Sequence, residues 1–482
     1  MARRLHSTVA VVCLLIGGCI ATPAPKPSAD GLAPVEKFSI PIDYHKLDNG
    51  LKVVLSPDPS VPVVTVGVYY NIGFRIEPRE RTGFAHLFEH LMFQGSDNLG
   101  KMEFISLVEQ NGGVVNGSTR FDYTNYYEAV PAHKLETMLW AEADRMRSLA
   151  ITEQNLANQK DVVKNEVKVN VLNRPYGGFP WLYMPQHANE NWYNAHNFYG
   201  ELEDLDAATI EEARGFFETY YAPNNAVLVV VGDFEPDAAL GMIEKYFSDI
   251  EPARLPPAPD VSEPRQIAEK HAVEVDSLAP RPAVAFAYHA PERGTREHYA
   301  MGIIDQILVQ GEDSRLHRKL VQELGITDSV SGGINLLGTM FDYEGPMLWT
   351  GALLHDKNLD TSTIMAAVDE VIEDLRTNGI TEAEFERALV KMRSGLYSTI
   401  GSSTRFGLLD LLASFALFDD DPDRINRLEE EFRRVTPPLI RDTAEEYLRP
   451  SNRTVLTLLP QPPQAARMDT PGVEFAHPGA GR

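Results

Sequence analysis

Cysteine is almost absent from this chain: among 482 residues only Cys13 and Cys19 are cysteines, and none follows them. The body of the protein therefore has no intrachain disulfide, no thiolate metal ligand and no cysteine nucleophile. Positive charge is also scarce, with 44 Lys and Arg against 69 Asp and Glu and a formal net charge of −25. No stretch clusters the basic residues that phosphate contacts need, which excludes a general nucleic-acid binder. The acidity suits basic peptides as partners, although surface charge also serves solvation. Val9 to Ile16 is an apolar run of eight residues, too short to span a bilayer. What remains is ordinary: 43% hydrophobic and 23% charged residues predict a globular protein with a substantial core, and the length allows two or more domains.

Arg3 and Arg4 ahead of the apolar run read as a secretory signal. Leu15-Ile16-Gly17-Gly18-Cys19 resembles a bacterial lipoprotein box, in which Cys19 is lipidated and becomes the new N-terminus. Residues 1–19 are thus read as signal and box, and the proline-rich residues 20–36 as a tether. The expected location is the periplasmic side of a bacterial envelope, anchored to the outer membrane only through that lipid.

Residues 251–266, EPARLPPAPDVSEPRQ, hold five prolines without apolar periodicity and read as a linker between halves at 37–250 and 267–460, with 461–482 as a flexible tail. Tyr220, Pro223 and Asn225 form Y-x-x-P-x-N before an apolar run, and Tyr447, Pro450 and Asn452 repeat it near the end of the second half. Two related halves follow from that repeat. Leu51–Leu55 and Val61–Tyr70, separated by SPDPS, predict a hairpin. Helices are expected over residues 83–93, 102–110, 134–146, 152–169 and 364–375, with strands over 114–130, 283–288 and 347–353. The class is α+β, with helices packed on sheets.

The chemistry concentrates in Thr82-Gly83-Phe84-Ala85-His86-Leu87-Phe88-Glu89-His90-Leu91-Met92-Phe93. On a helix His86 and His90 stand one turn apart and face one ion, with Glu89 on the same side. Such spacing suits Zn2+ with a position left for water, and a carboxylate beside it can act as general base. H-x-x-E-H is the inverted zinc motif. The alternative, surface histidines with a salt-bridging glutamate, is weakened by Leu87, Phe88, Leu91, Met92 and Phe93, which make the helix apolar almost all round. Glu166 is the first candidate for a third ligand, because its spacing from Val162 and Val163 puts it on their apolar face. Glu142 competes, but Asp144 and Arg145 beside it suit a structural ion-pair network. His133, His187 and His196 are expected at the surface or in loops.

These residues resemble the pitrilysin-type inverzincin metallopeptidases, in particular two-half subunits like the catalytic subunit of mitochondrial processing peptidase. The resemblance rests on G-F-A-H-L-F-E-H-L-M-F, on Val115-Asn116-Gly117-Ser118-Thr119, on the E-x-D-R of Glu142 to Arg145, and on Tyr-Tyr-Ala-Pro-Asn-Asn. It implies a zinc endopeptidase in which His86, His90 and Glu166 hold one Zn2+ per chain and Glu89 is the base; Glu166 follows His90 at the spacing the family keeps. It further implies two homologous α/β halves, each a mainly antiparallel sheet covered by helices, in a clam-shell enclosing peptides. The segment at Asn116 would lie near an edge strand that pairs with substrate.

Two departures stand out. Gln159 replaces a supporting Glu that the family commonly carries seven positions before the third ligand, and Val321 and Asp328 stand where active partners carry an Arg and a Tyr. A second, related subunit supplying that pair is the expected partner, with a homodimer as the alternative. Nor does the second half repeat the motif at the offset set by the two Y-x-x-P-x-N copies, where Asp313, Leu316 and His317 stand. Two further readings compete: a non-catalytic peptide-binding or scaffold subunit, disfavoured by the intact motif, and a purely structural metal site, which would need a fourth protein ligand.

Overall fold

The computed structural model describes residues 39–461; the expected signal and box with Cys19, the expected tether up to residue 36, and the expected tail from residue 462 lie outside them. Eleven strands form two sheets. The first sheet holds β1 (Asp43–Lys46), β2 (Lys52–Pro57), β3 (Val63–Tyr70), β4 (Val114–Thr119), β5 (Thr124–Pro131) and β6 (Ala226–Gly232), in the order β1-β2-β6-β3-β5-β4. The second holds β7 (Lys270–Asp276), β8 (Ala283–His289), β9 (Ser331–Ile334), β10 (Leu348–Leu354) and β11 (Arg453–Pro460), in the order β7-β11-β8-β10-β9. Each sheet is antiparallel except for one parallel pair, β2 with β6 and β7 with β11.

The hairpin expected between β2 and β3 does not form. β6 lies between them, parallel to β2 and antiparallel to β3. The reason is burial. Ala226–Gly232 is apolar throughout and buried at every position, which only a central strand covered on both faces supplies. Leu228 and Val230 face the helices of the first half, including Leu87 and Phe88, whereas Val227, Val229 and Val231 share a core with Leu409 and Leu412. The helix Phe406–Asp419, from the second half of the chain, thus covers one face of the first sheet. The segment 114–130, expected as strand, is divided by a turn into β4 and β5, and β4 forms the sheet edge.

The repeated Y-x-x-P-x-N has the same task twice. Asn225 Nδ2 donates to Tyr220 O at 2.9 Å and to Asn71 O at 3.3 Å; Asn452 Nδ2 donates to Tyr447 O at 2.8 Å and to His289 O at 3.1 Å. Each amide ties a helix exit to the neighbouring strand end, satisfying carbonyls that would otherwise be buried unpaired. The offset between the two copies, however, does not hold along the chain. Ala226 faces Tyr70 and Arg453 faces Tyr288, and the step from Tyr70 to Tyr288 is shorter than the step from Ala226 to Arg453. Asp313 is therefore not the counterpart of His86: the helix after β8 is Arg296–Leu308. Residues 251–266 contain no helix or strand but are tied down, with Glu263 accepting from Asn194 Nδ2 at 2.7 Å and from Glu190 N at 3.0 Å. No helix among the described residues is long and apolar enough to cross a membrane.

Candidate metal centre

The motif lies on the helix Phe84–Leu91, whose Phe84, Leu87, Phe88 and Leu91 are buried in the core. Anchoring these apolar residues turns His86, Glu89 and His90 away from the core, toward β4 and the helix Glu153–Val167. That second helix starts at Thr152, whose side chain accepts from Asn155 N, and carries Glu166 near its end. His86 is buried, and its ring lies 4.9 Å from that of His90 at an interplanar angle of 87°. Glu166 reaches both: Oε1 is 3.7 Å from His86 Nε2, and Oε2 is 3.2 Å from His90 Nε2. One ligand atom from each of the three residues lies within 4.8 Å of the others.

Their electrostatics suit a cation. Burial, reinforced by the charge of His90, pushes the His86 ring down to about 4 against the pull of Glu166, so it is neutral near pH 7 with a lone pair to offer. The hydrogen bond with His90 holds the Glu166 carboxyl below its usual range against the effect of burial. Two imidazoles and an ionised carboxylate facing one another form an N, N, O set that matches a three-ligand zinc site. His86 Nδ1 is buried without a partner among the described residues; its ring lies 5.6 Å from that of Phe198 and 5.1 Å from that of Tyr199. Tyr199 also donates to Glu166 Oε1 at 3.4 Å, and burial with the Glu166 charge pushes its hydroxyl up to about 12.

Glu89 lies beside this group and not in it. Thr119 Oγ1 donates to Glu89 Oε2 at 2.7 Å. Burial pushes the Glu89 carboxyl up, and the Thr119 bond opposes that shift. Asn116 is exposed on the edge strand β4, its Oδ1 accepting from Gly117 N at 2.9 Å.

Glu142 is buried in an ion pair with Arg145, away from the three candidate ligands. Gln159 is buried and donates to Asn158 Oδ1 at 3.0 Å. Val162 does not share a buried face with Glu166: it is 40% exposed while Val163 is buried, because the helix rests on the core through Leu156, Val163 and Val167. Asp328 is exposed and pairs with Arg281 at 3.0 Å. His133 is exposed, His187 pairs with Glu274 at 2.7 Å, and His196 lies in a loop as expected, although its side chain is only 4% exposed. Sequence reasoning also passes over Glu77. It is buried and accepts from Gly83 N at 2.8 Å and Ala85 N at 2.5 Å, thereby supplying the missing cap of the motif helix. Its closeness to the motif, just ahead of Gly83, is the available signal.

Two family models match: "Insulinase (Peptidase family M16)" over residues 52–176 and "Peptidase M16 inactive domain" over 207–392. The chain belongs to peptidase family M16, the pitrilysin-type family. Among M16 relatives, the zinc protease PqqE of Helicobacter pylori is 26% identical over 427 residues, covering 86% of this chain and 92% of that protein. The crystal structure of a Helicobacter pylori protease superposes with a TM-score of 0.80 at 24% identity, covering 87% of this chain and 100% of that one. The periplasmic protease PqqL of Escherichia coli superposes at 0.70 with 16% identity, covering 89% of this chain but 48% of the longer neighbour. The fold is the two-half M16 clam-shell, and the Insulinase (M16) model falls on the half carrying the H-x-x-E-H motif.

Proposed function

We propose that this chain is a zinc-dependent endopeptidase that hydrolyses peptides or unfolded polypeptide segments in an enclosed chamber. One Zn2+ per chain is held by His86, His90 and Glu166. When bound, zinc supplies a Lewis acid that polarises the scissile carbonyl and acidifies water. Glu89 is the general base: Thr119 engages Oε2, leaving Oε1 to take a proton from the attacking water and pass it to the leaving amine. Burial raises the basicity of that carboxylate, which suits it to hold the proton between the two transfers. The open edge of β4 accepts an extended peptide by strand addition, with Asn116 at its rim. The observation that carries this reading is the convergence of His86, His90 and Glu166 with Glu89 alongside.

The zinc-protease names of relatives support the reaction class, and the periplasmic PqqL supports an envelope location. We assign residues 1–19 as signal with Cys19 as the lipidated residue, 20–36 as the tether, and 37–250 and 267–460 as the catalytic and inactive domains. A chain half the length of PqqL suits pairing with a second, related subunit, which would supply the Arg and Tyr missing at Val321 and Asp328. The test is zinc content and cleavage of a quenched fluorescent peptide library by the parent and by Glu89→Gln. Turnover should fall about a thousandfold with zinc retained; unchanged turnover in the variant contradicts the mechanism.

A further inference from the structure

Both ring nitrogens of His196 lie within hydrogen-bond distance of backbone carbonyl oxygens. Its Nε2 lies 2.7 Å from Phe74 O and its Nδ1 lies 3.0 Å from Trp192 O. Carbonyl oxygens only accept, so both ring nitrogens must donate, and a neutral tautomer would set a lone pair against a carbonyl. The counter-charge is Glu77, whose Oε2 is 3.7 Å from Nε2; the two side chains are 4% and 0% exposed. Charged groups approach this segment from several parts of the chain, among them Glu263, which accepts from Asn194 Nδ2 at 2.7 Å. Arg79 lies over the Trp192 ring at 5.1 Å, and Arg75 is taken up by Asp122 at 2.6 Å and by Asn194. The Trp192 ring stacks on His196 at 4.2 Å.

Both ends of this pair lead to the metal centre. Glu77 holds the Gly83 and Ala85 amides, and so fixes the first turn of the helix bearing His86 and His90. His196 anchors the segment whose Phe198 and Tyr199 rings pack against His86, and whose Tyr199 hydroxyl reaches Glu166. The segment also fits tightly against the motif helix. A Cβ on Gly200 would lie 2.3 Å from Gly83 N, and one on Gly83 would lie 2.5 Å from Tyr199 O; both glycines have positive φ. Because His86 Nδ1 has no partner of its own among the described residues, these packing contacts orient its ring.

We infer that His196 and Glu77 form a buried imidazolium–carboxylate pair that positions the zinc ligands, locking the His196–Gly200 segment against the motif helix. Neither residue touches substrate or metal; both act through the groups they hold. The inference rests on the zinc-peptidase reading for what the lock serves.

The test has two arms. Nitrogen NMR of histidine-labelled, metal-free protein at pH 7.5 should show His196 with both ring nitrogens protonated; the pattern of a neutral tautomer would overturn the pair. Zinc affinity, measured by chelator competition, should weaken about 10-fold to 100-fold in His196→Gln and in Glu77→Gln, with the double variant little worse than the worse single one. Affinities equal to the parent in both single variants would overturn the positioning role while leaving the zinc reading intact. A parent that takes up no zinc would sink that reading instead, and the nitrogen shifts would still decide the pair.

Discussion

After β1, the first sheet runs β2-β6-β3-β5-β4 and the second runs β7-β11-β8-β10-β9, matching in order and in the place of the parallel pair. Asn225 and Asn452 make the same two kinds of bond at the same corner. The helices that follow β3 and β8 have diverged. Phe84–Leu91 presents two imidazoles and a carboxylate to a neighbouring strand and helix, whereas Arg296–Leu308 turns its polar groups inward. There His298 is buried, its ring pushed down to about 3 by burial and the Arg293 charge, and Asp305 is occupied by Trp349 Nε1 at 2.9 Å and Gln310 Nε2 at 3.0 Å. A cavity of about 600 Å³ lies between that helix, β9 and the helix Glu382–Ile400, yet among the described residues no ligand triad lines it. Sheet order and corner bonds make the scaffold, while the chemistry depends on which few side chains the helix turns outward.

The sharpest way to break this contrast is to remove a histidine from the corresponding helix of each half. His90→Ala should lose zinc and drop peptide turnover to background, while His298→Ala, on the helix that follows β8, should keep the zinc content of the parent. A smaller effect is expected at the base. Thr119→Val removes the hydrogen bond to Glu89 and should lower kcat about tenfold without loss of zinc; an unchanged kcat would show the hydroxyl to be idle.

The seam between the halves offers a pH test. Asp410, on the helix Phe406–Asp419, accepts from Tyr69 OH at 2.9 Å and Tyr123 OH at 3.2 Å, and burial, then the charge of Asp342, push it up to about 8. A carboxyl raised in the folded state keeps a proton that the unfolded chain releases. Its contribution is therefore full below the ordinary Asp range near 4 and is lost as pH rises through about 8. Tm should fall between pH 6 and 9 in the parent and fall less in Asp410→Asn; parallel curves would contradict this. The smallest effects are expected at the corners, where Asn225→Ala and Asn452→Ala should each cost about 1–3 kcal/mol in denaturant unfolding, and by similar amounts.

The histidine pair of the proposed ligand set is legible in the sequence because a helical i, i+4 pair is a local pattern and the apolar residues around it exclude a solvated face, whereas Glu166 depends on the spacing that the family resemblance implies. Glu142 is likewise readable as structural from its immediate neighbours. The β2–β3 hairpin misleads because the strand that separates the two arrives only near the end of the first half, and periodicity carries no information about insertion into a sheet. His196 is a loop residue, as read, but that its side chain is held inward is not legible for a related reason: its partners Phe74 and Glu77 are remote in the chain, and burial by distant segments leaves no mark on local composition. Val162 shows the limit of face arguments, since one position of rotation separates a buried residue from an exposed one.

The most direct test of the central claim is metal analysis of the purified protein beside its His86→Ala, His90→Ala double variant. One zinc per chain in the parent and none in the variant is the expected result. Zinc retained by the double variant would place the metal elsewhere and contradict the account.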